Sequence, residues 1–213
     1  MSADWLEDTR TSYDTVAASY TELLRDKLTE LPHLISALAA FAELIRSDGG
    51  GPVADVGCGP GHVTAHLRGL GVDATGIDLS PAMVEIARAE HPDARFEVGS
   101  MTELDLADDS LAGLIAWWSL IHIPDDLVPG VFAGFRRVLR PGGRVLLGFH
   151  VGDEARHKTE GYGGHPMNVL VHLRPPARVA DWLREAGFTI DAETVLDPDG
   201  RLAGCVLFAR APG

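Results

Sequence analysis

Residues 53–64 read VADVGCGPGHVT, with Gly57, Gly59 and Gly61 at alternating positions behind a short apolar stretch that carries Asp55. A backbone this bare lets a ligand approach the main chain, and N–H groups at a helix start attract an anionic group. A phosphate-cradling loop would need Gly-Lys-Ser/Thr, and no such run follows Gly61. A dinucleotide loop of the form G-x-G-x-x-G needs its third glycine three places after the second, where this chain has His62. Two of the nine histidines are candidate general bases, because imidazole titrates near neutral pH. They are His122, in WWSLIHIP, and His150, in LLGFH. The segment from Gly152 to His172 adds Asp153, His157, His165 and His172. His150, Asp153 and His157 are a conceivable metal set, but Gly161, Gly163 and Gly164 break any helix that would fix their spacing. No metal is therefore expected.

The elements that must position these residues alternate in type. HLISALAAFAELIRS (33–47) has apolar residues at helical spacing and runs into Asp48, Gly49 and Gly50, a helix stop. PVADVG is a short strand, residues 61–71 are helical, and 72–78 is again a strand. Ser80 and Pro81 form an N-cap and first turn for a helix over 81–91. Residues 95–100 make a third strand, and the nearly unbroken apolar run 111–121 reads as a fourth, buried on both faces. A helix over 126–139 stops at RPGG, and 144–150 is the fifth strand. This order predicts an α/β, doubly wound, mostly parallel sheet. Ligands in such sheets bind outside the carboxyl ends of the strands where strand order reverses, so the glycine loop should lie there. His122 and His150 should point to the same edge. After a helix over 175–188, segments 189–196 and 203–210 read as an antiparallel hairpin joined by DPDG, for seven strands in all. Residues 152–174 read as an irregular, lid-like insert, and 1–48 as an N-terminal helical cap on a single domain spanning 1–213.

Composition narrows the partners. The net charge of −13 repels nucleic acid, which is held mainly by lysine and arginine. Cys58 and Cys205 have no spacing that implies a disulfide framework or zinc knuckle, which fits a reducing cytoplasm. The acidic start MSADWLEDTR lacks signal-peptide character, and no apolar run approaches the roughly 18 residues of a membrane span. The chain is read as complete and soluble. Arg156, Lys158, Arg174 and Arg178 gather in or just after the insert. They would suit an anionic acceptor group, or they are ordinary surface charges.

The glycine loop still needs a ligand. One with an adenosine ribose, an ammonium for Asp55 to sit near and a carboxylate for the helix-start N–H groups meets its requirements, and S-adenosylmethionine has all three. VADVGCGPG resembles motif I of the class I S-adenosylmethionine-dependent methyltransferases, in the branch of small free-standing bacterial enzymes. The resemblance runs from about Tyr13 to Phe188. It includes TGIDLS, whose Asp78 matches the acid that binds both ribose hydroxyls in the family, RPGG before the fifth strand, and YDTVAASY (13–20), similar to a helix that folds over the cofactor. It implies cofactor contacts from Tyr13, Tyr20, Asp55, Gly57, Cys58, Gly59, Gly61, Asp78, Leu79, Met83 and Trp117. Many relatives carry an aspartate after the third strand to meet adenine. This chain has Gly99, Ser100 and Met101 there, which leaves the adenine contact to Ser100 and Met101 or to backbone. Met83 is alternatively a core residue, and His122 a residue that pins its loop to the following helix. The implied activity is methyl transfer from S-adenosylmethionine to O, N or C of a small-molecule acceptor. The alternative is a protein of the same fold that binds the cofactor in a non-methylating or regulatory role. The sequence does not indicate the oligomeric state.

Overall fold

The computed structural model describes residues 4–25, 31–197 and 203–213. Its seven-stranded sheet is built from β1 (Pro52–Val56), β2 (Asp73–Asp78), β3 (Arg95–Val98), β4 (Leu111–Trp117), β5 (Leu139–His150), β8 (Thr189–Leu196) and β9 (Gly204–Arg210). The order is β3-β2-β1-β4-β5-β9-β8, parallel except where β9 pairs antiparallel with β5 and β8. Strand order reverses at β1, whose carboxyl end carries Gly57, so the glycine loop lies where the doubly wound pattern predicts. The DPDG connection lies outside the described residues except for Asp197.

Helices cover both faces. On one, Leu38, Phe41 and Ile45 of α2 (Pro32–Ser47) and Leu67 of α3 (His62–Gly69) pack on Val53, Ala74 and Ile115. α2 is thus a layer of the sandwich that reaches the ligand edge only at its start, through Leu34, while α1 (Asp4–Leu24) lies over that edge. On the other face, Phe132 and Phe135 of α5 (Val128–Val138) and Val179 and Leu183 of α6 (Pro176–Glu185) bury against β4 and β5. α4 (Pro81–Glu90) opens as predicted, with Ser80 Oγ accepting from Met83 N at 3.1 Å.

Three elements differ from the sequence expectation. β4 ends at Trp117 rather than near residue 121, because Trp118 turns to φ +54° and Leu120–His122 forms a 3-10 turn. An apolar run buried on all sides looks alike as strand or turn. RPGG does not separate α5 from the next strand but lies inside β5 as its irregular part: Leu139 pairs with Leu111 and Arg144 with Gly113, so five steps on β5 oppose two on β4. The insert is not irregular. It forms a hairpin, β6 (Glu154–Gly161) with β7 (His165–Leu173), closed through Tyr162, Gly163 and Gly164, all at positive φ. Met167 and Val169 of β7 bury against Val16 of α1, and the Asn168 N–H donates to Ser12 Oγ at 2.8 Å.

Candidate functional site

Three elements meet over the carboxyl edge. The α1 residues at or near i, i+4 and i+8 spacing, namely Trp5, Thr9, Tyr13 and then Tyr20, face inward, as one stripe of a helix must. The loops after β1, β2 and β3 form the floor, and the 3-10 turn after β4 forms the far wall. They border about 720 Å³ of empty space, open mouth included. A second space of about 700 Å³ lies across the glycine loop, sharing Tyr20, Gly57, Gly59 and Trp117 with the first.

Most of the expected site residues border these two spaces. Gly57, Gly59, Asp78, Leu79, Met83, Ser100, Met101, Trp117, Tyr13, Tyr20 and His122 line the first, while Asp55 and Cys58 line the second. Gly61 lines neither. It starts α3 at φ +85°, and a Cβ there would come within 2.7 Å of the Phe96 ring. Gly57 is tighter still, since at φ +78° a Cβ would fall 2.2 Å from Ser119 Cβ. Gly57→Ala should therefore cost about 3 kcal/mol of stability, the sum of positive-φ strain and overpacking. Chemical denaturation measures it, and a wild-type midpoint would show that the loop accommodates a side chain.

Asp78 ends β2 and holds the loop: its Oδ2 accepts from Gly59 N at 2.7 Å and its Oδ1 from Ser80 N at 2.8 Å. Burial raises its pKa, against these two hydrogen bonds. Asp55 is fully buried. Its Oδ2 accepts from Thr64 Oγ1 at 2.6 Å, while Oδ1 has no partner. Burial pushes its pKa up to about 7. A buried carboxylate oxygen without a donor is costly, and a cationic or N–H-bearing ligand would relieve it.

His122 and Tyr13 form a chain. His122 Nδ1 lies 2.9 Å from the Leu170 carbonyl, which only accepts, so Nδ1 carries the proton. Nε2 then accepts from the Tyr13 hydroxyl at 2.7 Å. Burial holds His122 neutral, with a pKa of about 4, and keeps the Tyr13 hydroxyl protonated. The 3-10 turn that presents His122 is fixed by Arg174. This side chain, 1% exposed, donates to Asp125 Oδ1 at 2.9 Å, to the Leu120 carbonyl at 3.0 Å and to the Ile123 carbonyl.

The basic group expected near the insert is accordingly not a free cluster. Arg174 is structural, Arg178 pairs with Asp125 and Asp153, Arg156 pairs with Glu154, and Lys158 sits 3.7 Å from the Tyr162 ring centroid. Arg174→Met should cost about 3 kcal/mol by leaving two carbonyls unpaired. Thermal melting reads that loss, and an unchanged midpoint would remove the anchoring role.

His150 does not line the cavity. Trp118, which does, donates its indole N–H to His150 Nδ1 at 3.2 Å. The side chains of the conceivable metal set face other partners: His157 bonds Asn168, Asp153 pairs with Arg178, and His150 meets Trp118.

Further residues line or brace the site without a sequence motif to mark them. Trp118 and Ser119 line the cavity because β4 stops early, and Ser119 Oγ donates to the Val56 carbonyl at 2.6 Å. Asp14 ties α1 down: its Oδ1 accepts from Ser80 Oγ at 2.5 Å and from Ala82 N at 3.1 Å. Tyr162 of the hairpin turn stands edge-on to Tyr20 at 4.6 Å. Only the WW pair at the end of the fourth apolar run was a usable signal.

A doubly wound sheet of this strand order, with a glycine loop at the switch point and an acid closing β2, defines the Rossmann-like methyltransferase class. Residues 53–143 match a methyltransferase domain family. A curated relative, the O-methyltransferase cnsE of Penicillium expansum, is 34% identical over 65% of this chain and 52% of its own length. This chain spans about half to two thirds of the length of the curated relatives it matches. Among solved structures, the DhpI complex with S-adenosylhomocysteine superposes with a TM-score of 0.73 at 22% identity, covering 100% of this chain and 99% of that one. The Burkholderia thailandensis 1,6-didemethyltoxoflavin-N1-methyltransferase superposes with a TM-score of 0.71 at 24% identity, covering 100% and 92%. The chain has the Rossmann-like methyltransferase fold, and its residues 53–143 are similar to a methyltransferase domain family.

Proposed function

We propose that the protein transfers a methyl group from S-adenosylmethionine to O, N or C of a small-molecule acceptor. The observation that carries the reading is the pair of acids flanking the glycine loop: Asp78, with both carboxylate oxygens at the loop edge, and Asp55, whose Oδ1 is buried without a partner. This fits a ligand with a diol at one end and an ammonium at the other. Asp78 would hold the ribose, Asp55 would face the ammonium end, and Leu79, Met83, Ser100 and Met101 would border the adenine. Bound S-adenosylmethionine supplies a methyl carbon already activated by its sulfonium, so the chain itself contributes alignment, water exclusion and proton removal.

Tyr13 and His122 suit proton removal. An acceptor hydroxyl at Tyr13 would pass its proton to the phenol oxygen as the phenol proton moves to His122 Nε2, with the Leu170 carbonyl holding the imidazole in its receiving tautomer. Trp5, Leu6, Trp118 and Ile123 make the wall beside that pair mostly apolar, which favours a flat, largely apolar acceptor. If the acceptor bears an anionic group, Lys158 at the hairpin is the cation for it, since Arg10 at the cavity wall already pairs with Glu7. We further read the protein as one domain, unsuited by its acidity to nucleic acid and working in the cytoplasm. Among the described residues no helix is long and apolar enough to cross a membrane, and both cysteines are unpaired.

Calorimetric titration with S-adenosylmethionine, S-adenosylhomocysteine and NAD tests the cofactor. Binding of the first two alone supports the reading, and binding of NAD alone overturns it. An acceptor screen by mass spectrometry then tests transfer, where binding with no product from any acceptor class would favour the non-methylating alternative.

A further inference from the structure

We infer that His62, Glu90 and His91 form a binding site for a divalent transition metal of the zinc type, beside the glycine loop and separate from the candidate base at His122. The fold brings together three positions from two helix ends: His62 is the first residue of α3, Glu90 the last of α4, and His91 the residue that caps α4. One ligand atom from each lies within 4.8 Å of the others, and His62 Nε2 is 3.7 Å from Glu90 Oε2. Ligand atoms around a tetrahedral zinc ion sit ~3.3 Å apart, given metal–ligand distances of about 2.0–2.2 Å. Small side-chain rotations close the difference.

The second observation is independent of spacing. Nε2 of His62 and Nε2 of His91 are both buried and have no hydrogen-bond partner, although an imidazole nitrogen removed from water normally finds one. A shared cation would satisfy both. The carboxylate is already oriented to ligate, since Arg25 donates to Glu90 Oε1 at 2.7 Å and leaves Oε2 toward His62. An outer donor of this kind commonly fixes a ligating carboxylate. Two imidazoles and one carboxylate suit zinc, nickel or cobalt better than calcium or magnesium, and they leave at least one coordination position for water. The imidazole of His91 also packs against Gly61, where a Cβ would lie 3.1 Å from His91 Cδ2. A metal here would therefore brace the turn that ends the glycine loop.

The test uses the full chain after dialysis against a chelator. Zinc titration by calorimetry should give one tight equivalent, and cobalt should develop a visible absorption band from nitrogen and oxygen ligation. Zinc should also raise the melting temperature, because it binds the folded form selectively. His91→Ala should weaken binding at least a hundredfold and Glu90→Gln at least tenfold. Replacing the hairpin histidines His157 and His165 together should change nothing. Circular dichroism on each variant shows that it remains folded. Absence of a tight equivalent in the wild-type chain overturns the inference. So does wild-type affinity in both His91→Ala and Glu90→Gln, or loss of the tight equivalent in the hairpin double variant.

Discussion

Asp78→Ala is expected to weaken S-adenosylmethionine binding at least a hundredfold. Each hydrogen bond between a hydroxyl and a carboxylate is worth about 1.5–3 kcal/mol, so losing two costs roughly 3 kcal/mol or more, about two decades in Kd. A further loss comes from the loop itself, because Gly59 N and Ser80 N lose their shared acceptor. Asp78→Asn separates the two effects. Its amide oxygen keeps one of the N–H contacts while its NH2 cannot accept the other and the carboxylate charge is gone, so it should lose less stability than Asp78→Ala and still lose most of the affinity. Calorimetry against S-adenosylhomocysteine, read beside a denaturation curve, distinguishes them. Undiminished affinity in both variants would sink the ribose assignment and leave the glycine loop without its defining partner.

The second large effect concerns turnover. Tyr13→Phe removes the hydroxyl that donates to His122 Nε2, and His122→Ala removes the proton acceptor. A positioned acid or base contributes about 10²–10⁴-fold to rate. Each variant should therefore lower kcat at least a hundredfold with an acceptor that must lose a proton, while leaving the Kd for S-adenosylhomocysteine within a few-fold. The pH profile adds a check with a definite sign. Only the unprotonated imidazole can receive a proton, so activity is present above the His122 pKa and lost as pH falls through it, near pH 4 rather than 6.5. The same shift bears on stability. Because the folded-state pKa is depressed, the contribution of neutral His122 is full above about 6.5 and is lost as pH falls from there through about 4. His122→Asn should flatten this part of the stability curve relative to wild type. Full turnover in both Tyr13→Phe and His122→Ala would mean that alignment alone suffices for this acceptor.

His150 shows how far the sequence reaches and where it stops. The end of an apolar strand was legible, and with it the fact that His150 closes β5 at the ligand edge. Which side of that edge the ring takes was not, because it depends on Trp118, turned to positive φ one residue beyond β4. Arg174 makes the same point for charge. In sequence it belongs with Arg156, Lys158 and Arg178, whereas in the fold it is buried against three acceptors from the turn that carries His122. Burial of a long cation is decided by what other elements offer it, and composition carries no record of that.

The insert differs from its sequence expectation for another reason. Its glycines suggest breaks in a helix, but period-two burial of Met167, Val169 and Leu173 makes it a hairpin whose tight turn uses two of them.

The sequence by itself determined the alternating order of strands and helices, the reversal at the glycine loop, Ser80 as a cap, and the residue types that face the ligand edge. These follow from local periodicity, turn chemistry and motif spacing, which act over a few residues. Only the tertiary structure decided that Tyr13 meets His122, that Asp55 keeps a bare oxygen away from water, and that His62, Glu90 and His91 share one corner. Such contacts join residues up to 109 positions apart, and their geometry exists only once the hydrophobic faces of all the intervening elements have packed.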